Sequence, residues 1–392
     1  MSFGAIIAVK NGGLYEPVDF GLECALTEIR VEQTLGNQTT FALRFQEDYE
    51  NDQPTVTEHD IFKSGVEIAI LVPNGSRSQE LICLVCGQVE QLSFDIALGG
   101  PGSSFEARGR DVRTILDRVC VPESLTATKS ASLIKEFIKE IPDIISGVED
   151  GAIIYDGEDD NPSINFVGTK LELIEQLATA EDQCVWLSYE VSSDKRGIPI
   201  TTTFNVKPSP PRSDPPPPPP NPAAAKRELR VLSDSKECPN IATFKVSSDN
   251  ERITVVHTAA IDGANGGAAK AQGTTADDKL NDGPGPGESG NAGSGEAPER
   301  TSCSPGPGGQ TERAQKAETM ATDESWFITA EALTSASMVQ GVLEPHQEVT
   351  VMGVGCEWAG QYQVREVTHV INAAEHWMNV TLRSNSRGEK KL

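Results

Sequence analysis

Two histidines near the C-terminus are the first residues whose type and spacing could do chemistry. His369 and His376 fall in two strand-like segments joined by a short turn, and Glu375 precedes the second ring. Imidazole nitrogens are common metal ligands, so two rings brought together across neighbouring strands could hold a metal ion. Hydrogen-bonded or exposed histidines are the more common outcome. The sequence therefore assigns no metal ligand here.

A C-x-x-C pair, Cys83 and Cys86, is the second candidate. Zinc-binding pairs usually lie on turns and need a second pair nearby, which the 8 cysteines of this chain do not supply. Cys83 and Cys86 fall in an apolar strand pattern, where regular alternation would direct the two thiols to opposite faces. We interpret them as buried core thiols. Without paired spacing or an export signal, the cysteines are predicted to be reduced when the chain is made.

An acidic run, residues 156–160, is the third candidate. It begins like a calcium-binding loop, but Asn161 stands where that loop needs glycine. Val167 stands where it needs a bidentate glutamate. A solvated loop is the better interpretation of these carboxylates.

The remaining composition argues against an enzyme and against several kinds of partner. No nucleophile elbow, zinc-protease helix or phosphate-binding loop occurs in the sequence. The formal net charge of −25 argues against specific nucleic-acid binding, which needs a basic footprint. No apolar run is long enough to insert into a membrane, and the start of the chain lacks the basic region of a signal peptide. We therefore predict no enzymatic activity, no catalytic or metal-binding residue, no cofactor, and synthesis in the cytoplasm.

The elements that would position these residues are mostly strands. Over residues 1–108, short segments of β-forming residues are separated by Gly, Asn, Asp and Pro clusters, which is typical of an antiparallel sandwich or barrel. The predicted strands there are GAIIAVK, ALTEIRVEQT, TFALRFQ, GVEIAILVP, ELICLVCGQVEQ and LSFDIAL. A second strand-rich block begins over residues 228–262 and continues over residues 319–385. In its first C-terminal strand, Tyr362 and Val364 should share one face, with Val367 on the other unless a bulge shifts the register.

A helical block, residues 109–206, separates the two strand-rich blocks. Apolar residues recur at helical spacing in the segments GRDVRTILDRVCV and SLIKEFIKEIPDII, and Pro142 should end or kink the second helix. Thr169 and Glu172 have the spacing of a capping box and predict a third helix. With the strand-like segment CVWLSYEV, this block predicts a small α+β domain.

Two stretches of biased composition interrupt this layout. Residues 207–227 form a Pro-rich linker, because ten prolines between residues 208 and 222 favour a stiff, extended chain. Residues 263–318 are rich in Gly, Pro and Ser and predict a disordered or extended loop. Their composition also predicts that residues 264–315 can be deleted with both strand-rich blocks still folded. Residues 386–392 are a polar tail.

The layout resembles the hub family of contractile tails, which includes phage late-control D proteins, phage baseplate hubs and the hub part of type VI and extracellular injection spikes. The segment VLEPHQEVTVMGVG is similar to the family's Leu-x-Pro and valine-rich strand. The family's Gly-x-Tyr-x-Val-x-x-Val-x-His strand is matched by Gly360, Tyr362, Val364, Val367 and His369. The segment FEARGRDVRTILDRV is similar to the end of the family's first barrel. The Pro-rich and Gly-rich stretches depart from the family and look like insertions.

This resemblance implies an α+β, mainly β fold, with two tube-like antiparallel β-barrel or sandwich domains flanking a small α+β domain. It implies a structural baseplate hub, in which a homotrimer forms a ring that adapts the sixfold tail tube to the threefold spike. The implied partners are the tail tube protein, a separate spike protein and other baseplate proteins of the wedge or LysM type. The implied location is the bacterial cytoplasm during assembly, and then a virion tail baseplate or contractile injection particle.

Two alternatives of other classes remain open. A tail-tip cell-wall hydrolase would need only two carboxylates in a cleft, and the 58 acidic residues neither support nor exclude it. A secreted β-rich binding or adhesin module is suggested by the Pro-rich and Gly-rich stretches. It would need an export route that the sequence does not show.

Overall fold

The computed structural model describes most of residues 4–388. The gaps within that range are residues 48, 51–52, 58, 64, 76–79, 96–101, 122–124, 127–129, 149–162, 165, 181–182, 193–196, 209–226, 233–237, 250–254, 262–267, 275–278, 282, 286–298 and 304–309.

The described chain is mainly β, with a smaller α+β part, as the sequence predicts. Its strands are β1 (Ile6–Asn11), β2 (Leu14–Pro17), β3 (Leu26–Thr34), β4 (Thr40–Glu47), β5 (Tyr49–Glu50), β6 (Gln53–Pro54), β7 (Glu67–Pro73), β8 (Leu81–Asp95), β9 (Ser103–Asp111), β10 (Leu125–Thr126), β11 (Ile144–Val148), β12 (Ser163–Ile164), β13 (Gln183–Val191), β14 (Ile200–Pro208), β15 (Arg227–Arg230), β16 (Thr243–Ser248), β17 (Val255–Ile261), β18 (Ala268–Thr274), β19 (Glu299–Cys303), β20 (Ile328–Ser335), β21 (Glu348–Met352), β22 (Gly360–Ile371) and β23 (His376–Ser384). Its α-helices are α1 (Phe20–Ala25), α2 (Thr114–Asp117), α3 (Ser130–Ile138), α4 (Lys170–Ala180), α5 (Gln310–Ser325) and α6 (Ala336–Val339), with one 3-10 turn at Asp60–Phe62.

One large sheet contains strands from both strand-rich blocks. Its order is β16–β20–β23–β22–β3–β4–β9–β8–β7–β1–β2, and β21 pairs with β22 and with β15. The blocks meet where β22 pairs with β3, and the pairing there is antiparallel. One face of this sheet packs on a core to which both blocks contribute, including Phe45, Leu229 and Tyr362. The two blocks are therefore hydrogen-bonded and packed together within one chain.

The α+β part has a separate apolar core. Its sheet has the order β11–β14–β13, and α3 and α4 bury Ile134, Phe137 and Ile174 against it. The predicted capping box is present at the start of α4: the Glu172 backbone N–H donates to the Thr169 hydroxyl (3.2 Å), and the Thr169 N–H donates to the Glu172 carboxylate (2.7 Å).

Several predicted boundaries differ from the observed ones. The segment ELICLVCGQVEQ and the described start of LSFDIAL form one long strand, β8 (Leu81–Asp95), because no turn residue separates them. The predicted boundary at residue 108 falls inside β9, and the first predicted helix is the single turn α2. Within residues 263–318, β18 and β19 pair with β17 in a small sheet against which α5 packs. A loop prediction from composition misses such pairing, because strand partners distant in sequence leave no local periodicity.

Candidate functional site

An eight-strand layer within the large sheet consists of two units with the same strand order. In the first block, the order of the strands in the sheet is β3–β4–β9–β8. Counted along the chain, these are the first, second, fourth and third strands of the unit. In the second block they lie β16–β20–β23–β22, which is again first, second, fourth and third. In each unit, the third strand has a one-residue bulge where it pairs with the fourth strand. The extra residue is Glu90 in β8 and Arg365 in β22. The layer is therefore a tandem of two equivalent units.

The seam between the units is an antiparallel ladder of β22 with β3. Residues 366–371 lie opposite residues 34–29, in six consecutive pairs. The Leu35 N–H donates to the Arg365 carbonyl (2.8 Å), and antiparallel alternation then makes Val31 and His369 a backbone-bonded pair. Both of those side chains are fully buried. At the seam, the residues whose side chains face the core are also the residues whose backbone N–H and C=O groups bond to the neighbouring strand.

A buried chain of polar side chains crosses this seam. His369 Nε2 lies 3.1 Å from Gln33 Oε1, and His369 Nδ1 lies 3.0 Å from His376 Nε2. Gln33 also donates its amide N–H to the Leu84 carbonyl at 2.9 Å, so its oxygen faces His369 and accepts the Nε2–H. The structure thus brings together the two histidines of the sequence prediction. Their ring nitrogens bond to each other and to the Gln33 amide.

Both histidines are held neutral. Burial, reinforced by the neighbouring His376, lowers the pKa of His369 well below its ordinary value. Burial lowers the pKa of His376 to about 4. The neutral state also fits the hydrogen bonds, because His369 Nδ1 must accept the proton that His376 Nε2 donates.

The bulge at Arg365 decides which side chains of β22 reach the core. Regular alternation would separate Val367 from Tyr362 and Val364, as the sequence predicts in the absence of a bulge. With one extra residue between them, all three side chains lie in the same core and are at most 2% exposed. The Tyr362 hydroxyl donates to the Trp358 carbonyl (2.8 Å), which satisfies its polar end.

The opposite face of the first unit carries interleaved charges of both signs. A shallow trough there is lined by four glutamates and four arginines: Glu28, Glu32, Glu90, Glu106, Arg30, Arg44, Arg108 and Arg110. Arg30 pairs with Glu32 at 2.7 Å, and Arg110 pairs with Glu90 at 2.8 Å. Burial opposes ionisation of Glu90, but hydrogen bonds from Arg110, Thr114 and Arg118 outweigh it and lower its pKa to about 2. This face is therefore locally charge-balanced, although the whole chain is strongly acidic.

The eight-strand layer ends in two strands whose outer edges pair with no strand in the described part of the chain, fully for β16 and in part for β8. At one end, β16 is the terminal strand of the sheet, with Phe244 and Val246 half-buried against the core. At the other end, β7 covers β8 only as far as Gln88. Beyond that point, residues 90–95 of β8 form an arm in which residues 91–95 pair on one side with β9, and no described strand lies on the other side. Leu92 and Phe94 of this arm are 46% and 40% exposed.

Sequence reasoning missed this arm because it divided β8 into two strands. The signal was present, since Leu92 and Phe94 alternate with Ser93 and Asp95 as in any half-buried strand. Alternation cannot tell whether a strand has one neighbour or two, because that depends on how far a distant strand extends.

A buried ion pair fixes the α+β part to the sheet. Arg113 donates to the Asp111 carboxylate at 2.7 Å, to the Val185 carbonyl of β13 at 3.0 Å and to the Asn37 carbonyl between β3 and β4 at 2.6 Å. Asp111 also accepts the Thr39 backbone N–H at 2.7 Å. Burial opposes the charge on Arg113, but the ion pair with Asp111 outweighs it and raises the pKa of the guanidinium. One guanidinium thus joins three parts of the chain.

The cysteine pair is buried in the core as predicted, but its two thiols do not lie on opposite faces. Regular alternation would place Cys83 and Cys86 on opposite faces, but β8 has an extra residue against β7 between Val85 and Cys83, which shifts the register. Both thiols are therefore buried in the core under the α+β part, with their sulfur atoms 3.5 Å apart. Burial raises the pKa of the Cys83 thiol, which keeps it protonated and unreactive.

One residue of the predicted Gly-rich loop is an anchor. Asn281 accepts the Gln361 backbone N–H at 2.6 Å and donates to the Gln361 and Ser386 carbonyls at 3.1 and 3.2 Å. The predicted polar tail begins in this contact, because Ser386 is buried and its hydroxyl accepts the Asn281 N–H at 2.7 Å. Composition did not indicate this anchor, because a few residues provide its hydrogen bonds: the Leu280 N–H also donates to the Asn385 side chain at 2.9 Å.

A cleft of about 490 Å³ lies where the α+β part meets both blocks. The His346 ring stacks on Trp186 with 4.2 Å between ring centroids. Burial raises the pKa of the Glu344 carboxyl, with Arg227 acting in the opposite direction. The Glu80 carboxylate also lines the cleft.

The structure does not test the acidic run of the sequence. The acidic run at residues 156–160 and Asn161 lie outside the described residues. Among the residues that the structure describes, no three His, Cys, Asp or Glu side chains are grouped so as to hold a metal ion. Within the same ranges, no helix combines the length and apolar character needed to cross a membrane.

The fold is that of solved phage tail proteins. The chain is similar to the tail protein from Neisseria meningitidis MC58, with 12% identity over 97% of each chain and a TM-score of 0.61. It is similar to the 43 kDa tail protein of prophage MuSo2 from Shewanella oneidensis, with 12% identity over 97% of this chain and 98% of that one and a TM-score of 0.62. A Francisella PdpA–VgrG complex matches 99% of this chain and 59% of the other, at 12% identity and a TM-score of 0.52. No protein-family model matches the sequence, and no curated protein matches it.

Proposed function

We propose that this chain is the structural hub of a contractile-tail baseplate or of a contractile injection particle. Three copies form a ring that adapts a sixfold tail tube to a threefold spike. The observation that carries the proposal is the tandem of equivalent units in the eight-strand layer. In contact with a sixfold partner, each of the two equivalent units of one chain can take the place of one subunit. Three chains therefore supply the six units that a sixfold partner needs.

The seam at β22 and β3 supports assembly through repeated head-to-tail contacts between units. It shows that the third strand of one unit and the first strand of the next can pair with continuous backbone hydrogen bonds and a shared core. A head-to-tail contact repeated with the same rotation closes when that rotation divides a full circle. A closed ring also removes the open edges that would otherwise favour aggregation.

The charge-balanced trough fits the face of such a layer that would line a channel. Glutamates and arginines that pair with each other leave little net field to retain a charged cargo of either sign. The balanced charges of the trough differ from the acidic channel lining that the net charge of the chain alone would suggest. The proposed partners remain the tail tube protein, a spike protein and other baseplate proteins of the wedge or LysM type, and the proposed location is the tail baseplate after assembly in the bacterial cytoplasm.

The test of this function is the position of the chain in the particle. Tail particles assembled with a chain that carries a peptide tag should show the tag between the tube and the spike by electron microscopy. A tag found on the sheath or on fibres would contradict a hub.

One observation favours a second function, a tail-tip cell-wall hydrolase. Glu344, a carboxyl with raised pKa, shares a cleft with Glu80 and the aromatic Trp186, and a glycosidase needs one protonated and one ionised carboxyl. A zymogram with purified peptidoglycan tests this function, with E344Q as the matched variant. Clearing by the wild type that is lost in E344Q would support a hydrolase, and no clearing by either would remove it.

A further inference from the structure

Two Asn-Gly pairs in the described part of the chain lie in opposite surroundings. Asn11–Gly12 is at the tip of the β1–β2 hairpin, and Asn74–Gly75 directly follows β7. A third pair, Asn265–Gly266, lies outside the described residues. An Asn-Gly pair loses its side-chain amide readily, because glycine has no Cβ to hinder attack by its own backbone nitrogen. The surroundings of each pair then govern whether the reaction proceeds in the folded chain.

The first pair is open to solvent. Asn11, Gly12 and Gly13 are all exposed, and Asn11 lies opposite Leu14, so the two glycines alone form the turn. Gly12 and Gly13 have φ values of 56° and 94°, as a two-residue hairpin turn requires. No hydrogen bond among the described residues engages the Gly12 N–H. Asn11 Nδ2 makes a long contact, 3.3 Å, with the Glu16 carboxylate. Both reacting groups are therefore accessible.

The second pair is held at both reacting groups. The Gly75 N–H donates to the Pro73 carbonyl at 2.8 Å. Asn74 donates from Nδ2 to the Glu80 carboxylate at 3.0 Å and from its backbone N–H to the Glu80 carbonyl at 2.8 Å. Gly75 is buried, and a Cβ at this position would lie 2.7 Å from the Gln340 carbonyl oxygen. The Asn74–Gly75 backbone cannot turn into the reactive geometry without local unfolding.

We propose that Asn11 is a site of spontaneous deamidation in the folded chain, and that its products loosen the β1–β2 hairpin. The Gly12 amide nitrogen loses its proton to hydroxide and attacks Asn11 Cγ. A C–N bond forms, the bond from Cγ to Nδ2 breaks, and ammonia leaves with a proton from water, which regenerates hydroxide. Water then opens the succinimide ring at either carbonyl and leaves aspartate or isoaspartate at position 11. The net reaction consumes water and releases ammonia, with no oxidant, reductant or cofactor.

The hairpin is where the first block holds the α+β part. Lys10, which directly precedes Asn11, forms an ion pair with Asp143 at 3.2 Å, just before β11. Tyr15 and Ile198 exchange both backbone hydrogen bonds, at 3.0 and 2.8 Å. Lys10 lies opposite Tyr15 in the hairpin ladder, so both attachments are next to the reactive turn.

Both products weaken the turn end of the hairpin. Isoaspartate at position 11 adds one atom to the backbone, so the ladder can no longer keep its register up to the turn. Aspartate keeps the backbone but places a second carboxylate near Glu16, where the wild type has an amide donor. The backbone bonds between Tyr15 and Ile198 should therefore open more often in the modified chain.

The experiment measures amide loss at both positions in the folded, full-length chain. The purified chain is kept at pH 8 in heavy-oxygen water, which labels each carboxylate formed before digestion, and is then digested with trypsin in ordinary water. Mass spectrometry compares the peptides of residues 11–30 and 64–77. Asn11 should be lost roughly tenfold faster than Asn74, or more, because only Asn74 is protected by the fold. In urea, which removes that protection, the two rates should agree within about threefold.

Equal loss at the two positions in the folded chain would overturn the proposed site. A difference that persists unchanged in urea would overturn the role of the fold in selecting Asn11. The matched variant is N11Q, because glutamine would have to form a six-membered ring and should keep its amide over the same period.

Hydrogen exchange tests the loosening of the hairpin. The Tyr15 and Ile198 N–H groups should exchange roughly tenfold faster in the deamidated wild type than in the fresh chain. In N11Q kept under the same conditions, their exchange should not change. Unchanged exchange in a fully deamidated wild type, or an equal loss of protection in N11Q, would contradict the loosening.

Discussion

His369 donates a hydrogen bond to Gln33 across the junction of the two strand-rich blocks, with 3.1 Å between Nε2 and Oε1. The two residues are 336 positions apart in sequence, and both are buried. Because His369 donates from Nε2 to an amide oxygen and accepts at Nδ1 from His376, the bonds require a neutral His369 ring. Burial lowers the pKa of His376 and keeps that ring neutral as well. The junction of the two units therefore carries a built-in dependence on pH.

Stability should fall as the pH decreases from about 6.5 to about 4. The pKa of His376 is lowered to about 4 in the folded chain, so the unfolded chain binds a proton in this range that the folded chain does not. The contribution of the neutral His376 to the free energy of unfolding is fully present above pH 6.5. About 2 kcal/mol of this contribution is lost by pH 5. His369, whose pKa is also lowered, acts in the same direction. Urea unfolding at pH 7.5 and pH 5 measures the loss.

H376Q is the matched variant for this prediction, because glutamine can still donate to His369 Nδ1 without titrating. Its stability should depend less on pH than that of the wild type, by about 2 kcal/mol between the two conditions. An unchanged difference between pH 7.5 and pH 5 would show that the acid sensitivity comes from carboxylates elsewhere.

Replacing Arg113 by leucine should destabilise the chain by about 3–5 kcal/mol, because it leaves the Asp111 carboxylate buried without its counter-ion. Arg113→Lys should also be costly, since an ammonium cannot reproduce the three-way contact of the guanidinium. Thermal or urea unfolding measures both. The control is Arg30→Ala, where the arginine is half-exposed and a change within about 0.5 kcal/mol is expected. Equal effects at the two positions would contradict this role.

Asn281→Ala should lower the stability of the second block by about 1 kcal/mol, because the backbone groups of Gln361 and of the buried Ser386 lose hydrogen bonds to the asparagine side chain. For the same reason, deletion of residues 264–315 should lower the melting temperature, in contrast to the expectation from composition. The control is Asn379→Ala, an exposed asparagine on β23. A deleted chain with the wild-type melting temperature would show that the anchor is dispensable.

Tyr362→Ala should cost about 3–5 kcal/mol, as expected for an aromatic side chain that is 2% exposed in a packed core. Tyr362→Phe keeps the ring and loses only the hydrogen bond to the Trp358 carbonyl, so its cost should be about 1 kcal/mol. The two variants are compared by urea unfolding. Similar costs for both would indicate that the hydroxyl, and not the buried ring, stabilises this strand.

The strands, the fold class and the capping box of Thr169 could be predicted from the sequence because they depend on local patterns. Alternation identifies a strand, and two residues at the right spacing identify a cap. The relation between the two blocks could not be predicted in this way. The seam pairs residues more than 300 positions apart, and nothing in the local pattern of β3 indicates that β22 is its neighbour.

Bulges account for the errors in side-chain placement. A one-residue bulge reverses the predicted face of every later side chain, which is why Cys86 lies beside Cys83 and why Val367 joins Tyr362 in the core. The sequence shows no glycine or proline at these bulges to mark them. Only the pairing with the neighbouring strands shows where these bulges lie.

The most direct test of the hub is the number of copies of this chain in the assembled particle. Cryo-electron microscopy of the tail tip, with native mass spectrometry of the released ring, should find three copies whose six units alternate around one channel. Six copies in a true sixfold ring would instead make the chain a tube protein, and a single copy or a dimer would contradict the hub altogether.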